Sequence, residues 1–339
     1  MISNFPKIVK CLLRELAKDD YPKLNTFLFV SCWLSFVMDQ SQFSMRDLFK
    51  RLNIRGIDVD ISTFSKASKH RDPIIFHNLF ISLRKQLRKK RAKEENALVL
   101  FPLDSTIITL TSKLLWQKGY HQVKLFSGLN LFTAEPGGIL IHFGQGHDSK
   151  YGDKTIEANP EKGVSIMDRG FCKLSRIQAL MEDKERYFLM RIRNDITLKM
   201  LDNGKVLIGT GVEQVEVRVV TFSDLESGTE FRFATNLPAA GEAGISNEEI
   251  GELYRQRWQI ELLWKFLKMH LKLDRLITKN ENGIEIQIYC CLMAYVVLQL
   301  VEIPEEFGHK ILDKLRYLQA FMCENISYVH WFQKIVFAP

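Results

Sequence analysis

The pattern of apolar and polar positions changes texture along the chain. Through residues 1–93, apolar residues recur at three- and four-residue spacing, which predicts helices near 5–18, 22–38 and 43–52. Ser62-Thr63 and Asp72-Pro73 read as further helix starts, the second with proline in the first turn. The last of these helices runs through Phe76, Leu79, Phe80 and Leu83. After Glu94-Glu95-Asn96 the runs shorten. Residues 97–103 form a continuous apolar stretch of the kind a buried strand makes, ending in Asp104-Ser105-Thr106. Strands are predicted at 123–132 and 138–143, separated by a turn at Glu135-Pro136-Gly137-Gly138. Residues 144–160 are polar and read as a surface loop that includes His147-Asp148. A short strand over 164–167 ends in Asp168-Arg169-Gly170-Phe171, followed by a helix over 173–182 and a strand over 187–193.

Residues 195–235 break this alternation. Segments 196–201, 205–208, 213–222 and 230–235 predict antiparallel strands, with a hairpin turn at Asp202-Asn203-Gly204. A loop over 237–245 leads to Ser246-Asn247-Glu248-Glu249, a capping box that opens a helix. Helices predominate from Leu271 onward, with a break near Pro304. The apolar run 286–301 is interrupted by Gln287 and Gln299 and falls short of the ~20 residues of a membrane span, so it predicts a buried helix. Strands alternating with helices make the core α/β.

Composition adds one strong asymmetry. At 339 residues, 46% hydrophobic and 26% charged, the chain is an ordinary globular protein of two or three units. Residues 1–93 carry 19 Lys+Arg against 8 Asp+Glu, whereas the remainder carries 28 against 32, so all of the net +7 lies in the first quarter. Seven of the ten residues 84–93 are basic: Arg84, Lys85, Arg88, Lys89, Lys90, Arg91 and Lys93. Such a run suits a polyanion, most simply the phosphates of nucleic acid. The six cysteines have no zinc-type spacing and read as reduced, mostly packed thiols of a cytoplasmic protein.

The candidate chemistry lies around Tyr254. At about 100° per residue, Arg257, Glu261 and Lys268 fall within roughly 60° of Tyr254, on one stripe of an otherwise largely apolar helix. A carboxylate flanked by a phenol and two cations suggests a site. The plain alternative is a surface helix with an i,i+4 pair, Arg257 to Glu261. Asp104 and Asp168, each placed at the end of a predicted strand, supply two more carboxylates. Oxygen-only ligation by Asp104, Asp168 and Glu261 suits Mg²⁺ or Mn²⁺, and two such ions about 4 Å apart would serve an in-line phosphoryl displacement. Asp after a strand is also a common turn cap.

The sequence resembles the DDE transposases of bacterial insertion sequences, in the insertion-sequence-four-type group. That group carries a Tyr-x2-Arg-x3-Glu-x6-Lys signature, which Tyr254, Arg257, Glu261 and Lys268 match at every spacing, and Asp104 and Asp168 stand in the contexts of its two aspartates. The resemblance covers about residues 97–275. It implies a ribonuclease-H-like mixed sheet interrupted by a β-rich insertion, with an all-helical N-terminal domain. It divides the chain into a basic helical DNA-binding domain (1–93), the first part of the catalytic core (94–194), the β-rich insertion (195–243), the core helix with the signature (244–283) and a C-terminal helical segment (284–339). Asp104, Asp168 and Glu261 are implied to bind two divalent ions, Mg²⁺ or Mn²⁺, per active site. Tyr254, Arg257 and Lys268 are implied to grip phosphates near the cut.

The implied activity is cut-and-paste transposition: cleavage at the terminal inverted repeats, then attack of the 3′-hydroxyl on target DNA. Partners are double-stranded DNA and a second copy of the chain in the synaptic complex, with no membrane, in the cytoplasm at the nucleoid. The alternatives are a transposase-derived metal-dependent nuclease and a non-catalytic DNA-binding regulator. Members of the group that cut through a DNA hairpin use a tryptophan in the insertion; residues 195–243 contain none, leaving Phe222, Phe231 and Phe233 as the aromatics there.

Overall fold

The alternation that follows Asp104 decides how the central sheet is built. In the computed structural model, strand does not stop at Asp104 but runs from Val99 to Thr109. Phe101, Pro102 and Leu103 are buried in succession between half-buried neighbours; beyond them burial alternates, with Thr106 and Ile108 inside and Ile107 and Thr109 outside. The structure describes residues 4–54, 56–91, 98–111, 113–116, 118–202, 204–211, 213–223, 228–239, 244–322, 332 and 336–337. The expected boundary at 93/94, Lys93, Asn203 of the hairpin turn, residues 240–243 of the loop and Cys323 lie outside these.

In chain order the elements are α1 (Phe5–Arg14), α2 (Thr26–Met38), α3 (Met45–Ile54), α4 (Ile61–His70), α5 (Ile74–Arg91), β1 (Val99–Thr109), α6 (Lys113–Trp116), β2 (Gln122–Asn130) and β3 (Glu135–Phe143). There follow α7 (Asp148–Tyr151), α8 (Asp153–Ile156), β4 (Gly163–Met167), α9 (Leu174–Glu182), β5 (Tyr187–Ile192), β6 (Leu198–Met200), β7 (Val206–Thr210), β8 (Glu213–Ser223) and β9 (Glu230–Thr235). The chain closes with α10 (Asn247–Arg255), α11 (Trp258–His270), α12 (Glu281–Leu300) and α13 (Ile311–Met322). It divides into two compact units: residues 93–109 with 120–264, and residues 1–92 with 110–119 and 265–339.

The first of these holds a nine-stranded sheet in the order β3-β2-β1-β4-β5-β9-β8-β7-β6. Strands β1, β4 and β5 are parallel and every other pairing is antiparallel. Side chains alternate between two cores, as the period of two requires. Phe101, Leu103, Phe126, Met167, Phe188, Met190 and Ile192 pack on one face with Ile177 of α9. Val164, Ile166, Leu189, Val220 and Phe233 pack on the other with Ile250 of α10. At Gly128 a Cβ would stand 2.1 Å from the Phe101 ring, so glycine there lets the two strands close over that ring.

The second unit is helical around α12, whose residues are buried except Glu281, Asn282, Glu285 and Gln299. This helix is long and apolar enough to cross a membrane by length and composition, yet its apolar window is 89% buried inside the protein. Its one mid-helix amide is fully satisfied: Gln287 donates to the Lys272 and Arg275 carbonyls at 2.9 and 3.0 Å and accepts from Ile277 N–H at 3.1 Å. Phe29 and Trp33 of α2 and Phe49 of α3 pack their rings around Phe64 of α4.

Several sequence expectations change in detail. Asp60 caps α4 by accepting Thr63 N–H at 2.8 Å, so Ser62-Thr63 lie in the first turn rather than before it. The β2–β3 connection is at 131–134, because Pro136 and Gly137 already pair with Leu129 and Gly128. The 144–160 stretch is not a solvated loop: it contains α7 and α8, and Thr155 and Asn159 are buried.

Candidate active site

Sheet register brings two of the expected carboxylates together. β1 and β4 run parallel with Phe101 opposite Ser165 and Pro102 opposite Ile166. Carried two residues further, the same register sets Asp104 against Asp168, where β1 has left β4 and β4 has ended. Asp104 is therefore in mid-strand, not at a strand end, but at the point where β1 loses one neighbour. Both aspartates share the parity of Val164 and Ile166, hence the sheet face that α10 covers. Asp168 Oδ1 accepts the Gly170 N–H at 2.8 Å and caps a single 3-10 turn, Arg169–Phe171.

The signature stretch is two helices rather than one. The capping box forms as expected: Ser246 Oγ accepts Glu249 N–H while the Glu249 carboxylate accepts Ser246 N–H. The helix then tightens after Tyr254, where Gln256 and Arg257 donate to the carbonyls of Leu253 and Tyr254, three residues back. Because Gln256 keeps helical dihedrals, the facing stripe survives the break. Arg257 Nη2 donates to Glu261 Oε1, and neither side chain is more than 30% exposed. Tyr254 packs on Phe233, ring centroids 4.5 Å apart.

The electrostatics are those of a shared site. Burial carries the Asp104 carboxyl up to about 6; the Ser105 N–H and Arg257 pull it down, while Asp168 and Glu261 push it further up. Burial likewise raises the Tyr254 phenol, with Asp168 adding to the effect and Arg257 and Arg191 opposing it. Burial would lower the Arg257 guanidinium, but Tyr254, Glu261 and Asp104 raise it above its usual value. Arg257 thus lies within reach of three acidic groups. Among the described residues, no three His, Cys, Asp or Glu side chains stand close enough to hold one metal ion as they lie.

The remaining expected residues lie elsewhere. Lys268 is further along α11, past the unit boundary at 264/265, so its relation to the carboxylates is not set by the sheet. Of the basic run on α5, Lys85, Arg88 and Lys89 are exposed and Arg84 rests over the Phe80 ring. Lys90 donates to the Leu300 carbonyl at 3.0 Å and pairs with Glu302, and Arg91 donates to Gln299 Oε1 at 2.8 Å, so these two hold the C-terminal end of α12. Phe233 is buried, Phe222 packs on Gly251 and Phe231 lies under the Arg191 guanidinium.

Near the aspartates, Lys124 has no counterpart among the expected residues, and Asp148 belongs to the His147-Asp148 pair that the sequence offers as able to approach the site but reads as a solvated loop pair. Asp148, assigned by sequence to a solvated loop, pairs with the buried Lys124 at 2.9 Å and accepts the Ser105 hydroxyl at 2.6 Å. The signal available for Lys124 is a lone cation inside an apolar strand. Beside them, a cleft of about 650 Å³ is lined by Lys124, Arg169, Arg191 and Arg193.

Comparison with known proteins agrees with this geometry. The family model "Transposase DDE domain" matches residues 95–297. A Synechocystis protein described as a transposase for insertion sequence element IS4SA is 59% identical over 337 residues, 99% of each chain. Sinorhizobium fredii y4zB, described as a transposase, is 26% identical over 69% of each chain. A Geobacillus stearothermophilus protein described as a transposase for element IS5377 is 27% identical over 70% of this chain and 66% of its own. With the family model spanning more than half the chain and a relative matching nearly all of it, the chain belongs to the DDE transposases of bacterial insertion sequences, in the IS4 group.

Proposed function

We propose that this transposase binds the ends of its insertion sequence, cleaves the DNA there and joins the freed 3′-hydroxyls to target DNA by phosphoryl transfer at Asp104, Asp168 and Glu261. The observation that carries the reading is the parallel β1–β4 register, which carries Asp104 to Asp168 on the face that α10 covers, with Glu261 and Arg257 acting on the same buried carboxyl. Three carboxylates acting on one another suit a divalent cation, and an all-oxygen donor set suits Mg²⁺ or Mn²⁺. Two such ions, held by the three carboxylates, would supply the activated nucleophile and the charge neutralisation that phosphodiester cleavage needs. The order β3-β2-β1-β4-β5, with β1, β4 and β5 parallel, supports a ribonuclease-H-like core, and β6–β9 supports the β-rich insertion.

The chain's own groups do the positioning. Arg257 would offer guanidinium N–H donors to a phosphate, and Tyr254 a phenol donor beside it. Lys268 adds a point charge. Arg84, Lys85, Arg88 and Lys89 on α5 contact DNA phosphates away from the cut, within a helical N-terminal DNA-binding region, and two copies of the chain bring two ends together at the nucleoid.

The test is an assay of the full chain with Mg²⁺ and duplex DNA carrying the inverted repeats that flank the gene. Cleavage followed by joining to a target plasmid is the expected result. Cleavage without joining would make the protein a metal-dependent nuclease, and binding with neither would make it a regulator.

A further inference from the structure

We propose that the Lys124–Asp148 pair is a positioning device for Asp104 and Asp168, acting from the sheet face opposite the one those aspartates occupy; this rests on the reading of the site given above. Asp148 opens α7. Its Oδ1 accepts the Ser105 hydroxyl at 2.6 Å and pairs with Lys124 Nζ at 2.9 Å. Lys124 is only 8% exposed, and its ammonium also donates to the Gly146 carbonyl at 2.7 Å. The other oxygen, Asp148 Oδ2, lies against Gly170: a Cβ there would stand 3.0 Å from it and 3.0 Å from Asp168 Oδ1. One carboxylate therefore bonds the residue that follows Asp104 and faces the residue whose N–H holds Asp168.

The segment carrying Asp148 is itself fixed. Arg176, 5% exposed, donates to the Ser149 carbonyl at 2.8 Å, the Phe171 carbonyl at 2.5 Å and Asp153 Oδ1 at 2.7 Å. It joins α7 and α8 to the far end of the 3-10 turn that Asp168 caps. Lys124 and Ser105 belong to β2 and β1, so the pair links both of those strands to the turn after β4. A buried ion pair kept only for stability is replaceable by apolar side chains of similar volume. One that aligns ligands is not, because groups behind metal ligands typically contribute 10- to 100-fold in metal affinity or activity.

The experiment uses the full-length protein and four forms: wild type, Asp148→Asn, the apolar double variant Lys124→Met/Asp148→Leu, and Gly170→Ala. Mn²⁺ affinity without DNA, melting temperature, end binding without metal and single-turnover end cleavage are measured on each. Asp148→Asn is expected to bind Mn²⁺ about 10- to 100-fold more weakly and to cleave more slowly by a similar factor, with metal-free end binding unchanged. The double variant is expected to melt close to wild type and still to bind Mn²⁺ weakly, which a purely structural pair would not produce. Wild-type Mn²⁺ affinity in a folded double variant overturns the proposal. Should the Asp148 variants fail to fold, Gly170→Ala decides: its methyl presses on both carboxylates without removing a bond, and wild-type Mn²⁺ affinity there overturns the proposal too. A wild type that neither binds Mn²⁺ nor cleaves would sink the reading of the site as well, whereas variants that cleave like an active wild type sink only the brace.

Discussion

Arg257 donates to Glu261 across the junction of α10 and α11, closing the signature stripe on itself. In this arrangement Arg257 supplies the positive charge that Glu261 meets, through a single carboxylate oxygen, Oε1. Glu261→Gln keeps the volume and a hydrogen-bond acceptor but removes the charge. End cleavage is expected to fall by at least about 10³-fold, the several kcal/mol that a metal ligand contributes. Stability should change by no more than about 1 kcal/mol, since the pair is partly solvated. Gel assays of cleavage and of end binding check this; wild-type cleavage by the variant would remove Glu261 from the site.

Asp104 makes the metal-free protein sensitive to pH. Its folded pKa of about 6 lies above the ordinary carboxyl value of 3.8, so the fold favours the protonated form. The sign follows: Asp104's contribution to stability is fully present below 3.8 and is lost as pH rises through about 6. The difference of roughly two units corresponds to roughly 3 kcal/mol. Asp104→Asn is therefore expected to be more stable than wild type at pH 8 without metal, with the advantage shrinking toward pH 4. Urea titrations across that range measure it, and an Asn variant less stable than wild type at pH 8 would refute the account.

Much of this was open to sequence reasoning, for reasons that residues make plain. Tyr254, Arg257 and Glu261 are close in the chain, so helix periodicity alone puts them on one face. The capping box at Ser246 is equally local. Asp104 is placed by its neighbour strands: the apolar run to Leu103 is visible, but continuation to Thr109 depends on pairing with β2, which residues 104–109 do not announce. Asp148 is the extreme case. It is bound to Ser105, 43 residues away, and to a lysine on another strand, and its polar surroundings read locally as a loop.

The close approach of β1 and β2 gives a test of packing. A methyl at Gly128 would lie 2.1–2.9 Å from three atoms of the buried Phe101 ring. Phe101 cannot yield without disturbing its neighbours Leu103 and Phe126 in the same core. Gly128→Ala is expected to destabilise by about 1–3 kcal/mol, the usual cost of overpacking. A denaturant midpoint equal to wild type would show that the strands have slack the structure does not suggest.

The basic helix α5 carries cations that reach solvent and cations bonded to the end of α12. Lys85, Lys89 and Lys90 are exposed, but Lys90, like Arg91, is bonded at the end of α12, Lys90 to Leu300 and Glu302 and Arg91 to Gln299. Each cation on a phosphate releases counterions, so log affinity falls against log salt with a slope of about 0.9 per contact. Neutralising Lys85 and Lys89 to Gln should therefore weaken end binding and flatten that slope by up to about 1.8, leaving the melting temperature near wild type. Neutralising Lys90 and Arg91 should do the reverse: melting falls as the end of α12 loses its partners, while the slope changes little. Filter binding at several salt concentrations, paired with thermal melts, distinguishes the two sets. A slope untouched by the Lys85/Lys89 pair would exclude these two lysines as phosphate contacts.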